Sequence, residues 1–331
     1  MTNTTAYNFI NLKELYKQPL EIDWLVEDII PNNSIGMIYG ASGSGKSHII
    51  LSMAAMIANG LPWFDNETKQ GNVLLMAGEG LSGFSRRLRA IEKEYDLEID
   101  EDKLHISNRA IGLDTSDGYK LVERAISELE TPPQIIIIDT LSRHLMESEE
   151  NSNDDMARFI NRLEEIRCKY ECTIILVHHT GKASKQGARG ASALKANVDF
   201  SFEVDGQNKK CAFNCDKMKD ADDGIPAKHF EIKAVELGLK NSKGKQITGA
   251  CVVATKATLA SIVVKQSNED IALACFNKER KEWQEAFLEA CTDNAGEDAK
   301  KKRYREARKQ LIANGKVKEN EDGTYSLTQQ E

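Results

Sequence analysis

Four short apolar runs recur between Ser34 and Val204, separated by longer segments of helical period: "SIGMIY" (34–39), "NVLLMA" (72–77), "QIIIID" (134–139) and "TIILVHH" (173–179). Runs this short, mostly apolar and rich in branched residues, suit strands buried on both faces of a parallel sheet. After the first run, Ile49, Ile50, Met53, Met56 and Ile57 predict a helix reaching Asn59; before the last, Met156, Phe159, Ile160 and Leu163 predict another, with Asn153 and Asp154 as capping candidates. The alternation predicts a doubly wound α/β fold.

Beyond Val204 the strands become more polar, as in "KKCAFNCDKM" and "KHFEIKAVEL", with turn signals at Asp205-Gly206, Asp223-Gly224 and Lys243-Gly244. They are expected to extend the sheet with antiparallel strands. From about Asn268 the chain turns helical and highly charged, then ends in "KVKENEDGTYSLT", two short strands around Asp322-Gly323. The expected organisation is a core of residues 1–267 and a small helix, helix and hairpin domain of residues 268–331.

Composition changes the picture in three places. The 331 residues, 40% hydrophobic and 29% charged, describe a globular chain with no targeting leader and no apolar run near membrane length, so a cytoplasmic protein without a membrane partner is expected. Cys168 with Cys172 and Cys211 with Cys215 share a spacing that a four-thiolate zinc site could use, but their apolar setting favours small buried hydrophobes. The net charge of −8 argues against a surface that coats nucleic acid, yet residues 299–318 hold nine cations and one acid. That segment is therefore +8, and the rest of the chain −16.

The chemistry begins at "GASGSGKS". Gly40, Gly45, Lys46 and Ser47 stand at the fixed positions of a phosphate-binding loop, with Gly43, Ser44 and His48 completing the wrap. Backbone N–H groups and the helix N-terminus would hold phosphates, Lys46 would reach the β and γ groups, and the Ser47 hydroxyl would sit on Mg²⁺. ATP and Mg²⁺ are the expected cofactors. Asp139, at the end of "QIIIID", is the expected second metal-side acid. Glu79, between two glycines just past "NVLLMA", has the exposure and reach of a general base.

In order, "GASGSGKS", "MAGEG", "IIIIDTLSR", "TIILVHHTGKAS" and "RGASAL" resemble the motifs of RecA-like ATPases, and among them the RepA-type plasmid helicases, with DnaB-type replicative helicases more distant. The resemblance spans Trp24 to Lys219. It implies a RecA-like P-loop core, Glu79 as the group that activates water, and a γ-phosphate sensor at the paired histidines. Alternation sends His178 and His179 to opposite sides of their strand, so one can be structural; the family match favours His179 as the sensor. The resemblance also implies that the loop after this strand, with Lys182, Lys185 and Arg189, touches single-stranded DNA in a ring channel. Cations without aromatics there would track phosphates.

In one respect the chain departs from those helicases. Val198-Asp199 stand where a finger arginine is expected, and Lys217 and Lys219, two apart at a strand end, look like the paired trans-acting cations of DnaB-type enzymes. At the C-terminus, a helix burying Tyr304, Ala307, Leu311 and Ile312 would turn Lys301, Arg305 and Arg308 outward. With the hairpin it looks like a winged-helix domain able to contact DNA. The sequence thus reads as an ATP-driven, ring-forming DNA motor, a homo-hexamer or related ring working with replication partner proteins. The alternative is an ATP-driven assembly switch or loader without unwinding.

Overall fold

The computed structural model describes residues 11–17, 19–78, 81–150, 152–180, 194–221, 225–255, 272–273, 275–277, 279–290, 297–320, 322 and 324–328. The chain divides into two units, residues 1–256 and 257–331. The break falls eleven residues before the expected 267/268 boundary, and both positions lie within residues 256–271, outside the described ones.

After a short helix α1 (Leu12–Leu15), the first unit folds a small hairpin, β1 (Trp24–Val26) with β2 (Ile30–Pro31). The alternating region follows as β3 (Ile35–Gly40), α2 (Lys46–Asn59), β4 (Asn72–Ala77), α3 (Leu81–Tyr95), β5 (Leu104–Ile106), α4 (Ser116–Ser127), β6 (Pro133–Asp139), α5 (Asn153–Tyr170) and β7 (Thr173–His179). Then come β8 (Phe200–Gln207), β9 (Lys210–Met218), β10 (Lys228–Lys240) and β11 (Gln246–Ala254).

These strands make one nine-stranded sheet in the order β11-β10-β9-β8-β3-β7-β6-β4-β5. From β8 to β5 neighbouring strands are parallel, and from β8 to β11 they are antiparallel, as the change in strand character predicts. Register aligns the carboxyl ends: Gly40 lies opposite His179, and Ala77 opposite Asp139. The phosphate loop after Gly40, Asp139 and His179 are thereby brought to one edge, where α/β sheets bind ligands, whereas Lys217 and Lys219 lie near Ile35 at the other end of β3.

Each face of the sheet has its own core. One holds α2, α3 and the antiparallel strands, including Ile49, Met53, Phe84, Phe202 and Phe230; the other holds α4 and α5, including Val122, Ile126, Met156 and Phe159. Helix α2 is buried on nearly all sides, which accounts for its apolar circumference. Aromatic packing welds the antiparallel strands to the core: the Phe202 and Phe213 rings stack at 4.3 Å, and Trp63 packs edge-on against Phe213 at 5.7 Å.

Three local expectations shift. Helix α5 is capped by Ser152, whose side chain accepts the Asp155 N–H, one residue before the nearest expected cap. Asp205-Gly206 lies inside β8, and the hairpin turns instead at Asn208 and Lys209, both with positive φ. Cys172 packs in the α4/α5 core and Cys211 in the opposite one, so these two pairs do not converge, and no metal-holding cluster occurs among the described residues.

The second unit contains α6 (Arg280–Ala290), α7 (Glu297–Ala313) and the hairpin β12 (Val317–Glu319) with β13 (Tyr325–Leu327). The expected helix, helix, hairpin order is found. Its core is Trp283, Phe287, Tyr304, Ala307, Leu311, Val317 and Tyr325, with Ile312 partly buried against it. The Trp283 indole N–H donates to the Ala272 carbonyl at 2.6 Å, satisfying the one polar atom of a fully buried ring. Among the described residues, no helix is long and apolar enough to cross a membrane.

Candidate functional site

The loop between β3 and α2 is shaped by backbone conformations that side chains resist. Gly43 has φ 79° and Gly45, the N-cap of α2, has φ 106°. A side chain added at Gly43 would meet nothing within 4 Å among the described residues, so the outer wall of the loop is open. The inner wall is closed, because Ser44 and Gly45 lie against Gly206 and Cys211 of the β8–β9 hairpin.

Lys46 is 3% exposed. Its ammonium donates to the Gly40 carbonyl at 2.9 Å and the Ala41 carbonyl at 2.8 Å. Burial pushes its pKa down to about 8, against the opposing pull of Asp139. Asp139 ends β6 and is itself buried; burial raises its pKa, while the Ser47 hydroxyl, His179, Lys46 and Arg87 oppose the rise. Ser47 hydrogen-bonds the Asp139 carboxylate, so the hydroxyl and carboxylate oxygens form a hard-oxygen pair suited to Mg²⁺. The buried Ser44 hydroxyl has no hydrogen-bond partner among the described residues. An orphaned donor, an open glycine wall and a lysine held by replaceable carbonyls together fit a phosphate chain.

The other expected residues are distributed as follows. His48 is held in the first turn of α2, where burial and then Arg87 push its imidazole down to about 4, so it is neutral near pH 7. The Gly78 N–H donates to the Asp139 carbonyl at 2.6 Å, which brings the strand end before Glu79 to the acid; Glu79 itself lies outside the described residues. His179 is exposed at the carboxyl edge and acts electrostatically on Asp139. His178 points the other way, buried, with its Nε2 2.6 Å from Glu150 Oε1. Lys182, Lys185 and Arg189 lie outside the described residues.

Lys217 differs most from its expected role. Its ammonium donates to the carbonyls of Lys195, Ala196 and Val198 at 2.9, 3.3 and 2.5 Å, closing the end of the helical turn 194–197 of its own chain. Lys219 lies beyond the end of β9, more exposed, 3.5 Å from Asp199. The two lysines are thus not an equivalent outward pair: one is spent on backbone, the other on an aspartate. In the second unit, Arg305 is exposed, but Lys301 pairs with Glu297 at 2.5 Å and Arg308 is turned inward. Arg308 donates to the Tyr325 hydroxyl at 3.1 Å and lies 5.5 Å over that ring, because a guanidinium can satisfy a phenol and stack on it at once.

Two arginines escaped the sequence reading. Arg87 on α3 acts on both Asp139 and His48, and Arg143, four residues after Asp139, packs its stem where a Gly78 side chain would stand. The run "SRRLR" just beyond "MAGEG" was the available signal for the first.

A phosphate cradle at the carboxyl edge of a mostly parallel sheet, with a buried acid ending a nearby strand, defines a P-loop nucleoside triphosphatase. Residues 7–185, more than half of the chain, match the AAA domain family. The chain belongs to that family, RecA-like P-loop ATPases.

Proposed function

We propose that the protein is an ATP-driven, ring-forming DNA motor of the RepA helicase type, moving on single-stranded DNA. The observation that carries the reading is at the Gly40 carbonyl. It accepts Lys46 Nζ at 2.9 Å and the Thr180 N–H at 3.1 Å, so the phosphate cradle and the root of segment 181–193 share one acceptor. A change of partner at Lys46 alters the load on that carbonyl and so on Thr180, the residue before the cationic run 181–193.

ATP with Mg²⁺ supplies the γ-phosphoryl group, whose transfer to water releases the driving energy. The chain's own groups do the rest. Lys46 exchanges its two carbonyls for phosphate oxygens, Ser47 and Asp139 present oxygens to the metal, and His179 meets the γ end. Glu79 orients and deprotonates the attacking water. Lys182, Lys185 and Arg189 follow the DNA phosphates, and the more exposed Lys219 is the better of the two lysines to reach a neighbouring site. The helix, helix and hairpin of the second unit serve as a winged-helix module whose Arg305 side contacts DNA.

Turnover of ATP with and without single-stranded DNA, beside unwinding of a forked duplex, tests the reading. Stimulated turnover with unwinding is expected. Turnover without unwinding would instead support the assembly-switch reading.

A further inference from the structure

Glu150 lies outside the nucleotide cradle, yet its position is set more firmly than that of an ordinary loop acid. The loop leading to it is pinned by the Asp114 carboxylate, which accepts the N–H groups of Met146 (2.9 Å), Glu147 (2.7 Å) and Ser148 (2.6 Å). Glu149 N–H donates to Asp155 at 3.0 Å, and the Ser152 N–H donates to the Glu149 carbonyl at 2.9 Å. The loop thus presents Glu150 as a fixed acceptor.

What it meets is His178, 3% exposed, through the 2.6 Å hydrogen bond to Nε2. Nδ1 is buried with no partner among the described residues. A proton on Nδ1 would be an unsatisfied buried donor, whereas a proton on Nε2 is donated to a carboxylate, so the geometry selects the Nε2–H tautomer. Glu150 is held below the usual carboxylate range, first by the hydrogen bond to His178, and so remains an acceptor throughout the neutral range.

The consequence lies one and two residues along. β7 runs between β3 and β6, with His179 opposite Gly40 and Thr180 bonded to the Gly40 carbonyl. One side of the β7 tip is therefore tied to the phosphate loop by backbone. On the other side the β6–β7 ladder reaches Asp139 opposite Val177, and beyond it His178 is tied to the segment that follows Asp139 by the Glu150–His178 bond. We propose that Glu150 is a positioning residue of the hydrolytic site, acting through His178 to fix His179 and Thr180 relative to Asp139. The proposal rests on the ATPase reading and not on DNA unwinding.

The test uses the full chain labelled with ¹⁵N-histidine, with the His178 resonances assigned by their loss in His178→Gln. In wild type, His178 is expected as the Nε2–H tautomer without added nucleotide. Glu150→Ala should mix the tautomers and lower kcat by about 10-fold or more, with the KM for ATP changed less than about twofold. Glu150→Gln, whose amide oxygen can still accept, should keep the tautomer and recover most of the rate. If Glu150→Ala does not fold, Glu150→Asp, which shortens the reach, should fall below Glu150→Gln in kcat. An unchanged His178 tautomer in Glu150→Ala, an unchanged kcat, or a loss confined to KM would overturn the proposal. Failure to unwind DNA would sink the motor reading and leave the tautomer and kcat results standing.

Discussion

Lys46 and Lys217 do the same thing with backbone and mean different things by it. Each gives its ammonium to carbonyls of its own chain, two for the buried Lys46 and three for the half-buried Lys217. Around Lys46 stand an orphaned serine hydroxyl, the open Gly43 and a buried carboxylate, and burial has already lowered its pKa. Around Lys217 stand the end of a helical turn and a strand, and its ammonium donates to three carbonyls. The first lysine is a donor waiting for a stronger acceptor; the second has reached its final partners. Lysine chemistry is identical in both regions, so the function is carried by what surrounds the ammonium.

The sharpest way to break this contrast is to remove each amine. Lys46→Ala should lower ATP turnover by about 10² or more, the scale of a lost transition-state donor, and weaken nucleotide binding in a direct titration, while the fold persists. If turnover survives, the phosphate role of Lys46 is lost. Lys217→Ala should instead cost about 1.5–3 kcal/mol of stability in denaturant melts, the scale of hydrogen bonds from a charged donor, with nucleotide affinity of the folded protein unchanged. The reverse pattern would move Lys217 into the chemistry.

The charge state of Lys46 sharpens the comparison further. Its folded pKa, about 8, lies below the 10.5 of an exposed lysine, so above pH 8 the folded, nucleotide-free chain holds fewer protons at this site than the unfolded one. The contribution of this residue to stability therefore rises with pH between about 8 and 10.5, and it is flat below that window. Phosphates favour the ammonium, so nucleotide binding should take up protons between pH 8 and 9 and almost none at pH 6.5. Calorimetry in buffers of different ionisation enthalpy measures the uptake, which should disappear in Lys46→Ala.

Smaller effects belong to α7. Arg305→Ala should flatten the salt dependence of DNA binding by about 0.7–0.9 log units if it contacts one phosphate. Lys301→Ala, which removes the solvent-side pair with Glu297, should shift stability by about 0.5 kcal/mol or less.

The core was legible because its signals are local. The strands "NVLLMA", "QIIIID" and "TIILVHH" declare burial through composition alone, and the loop "GASGSGKS" fixes its own geometry through glycines. Asp139 could be placed because it ends such a strand. What escaped depends on partners far away in the chain. The bond from Glu150 to His178 spans 28 residues, and Lys217 meets carbonyls about 20 residues back, so neither strand alternation nor spacing could assign them. Arg308 looked like a solvated cation of a basic helix until Tyr325, 17 residues on, took its guanidinium.

Gly206 carries a last consequence. It sits near the end of β8, touches no expected ligand and reads in sequence as half of a turn signal, yet a methyl group on it would stand 2.1 Å from the Ser44 carbonyl oxygen. Since that oxygen belongs to backbone of the phosphate cradle, no rotamer change can relieve the clash. In a saturation screen for activity, position 206 should therefore tolerate as few replacements as the loop glycines themselves, and its intolerance would be mistaken for catalysis by anyone scoring positions without the geometry.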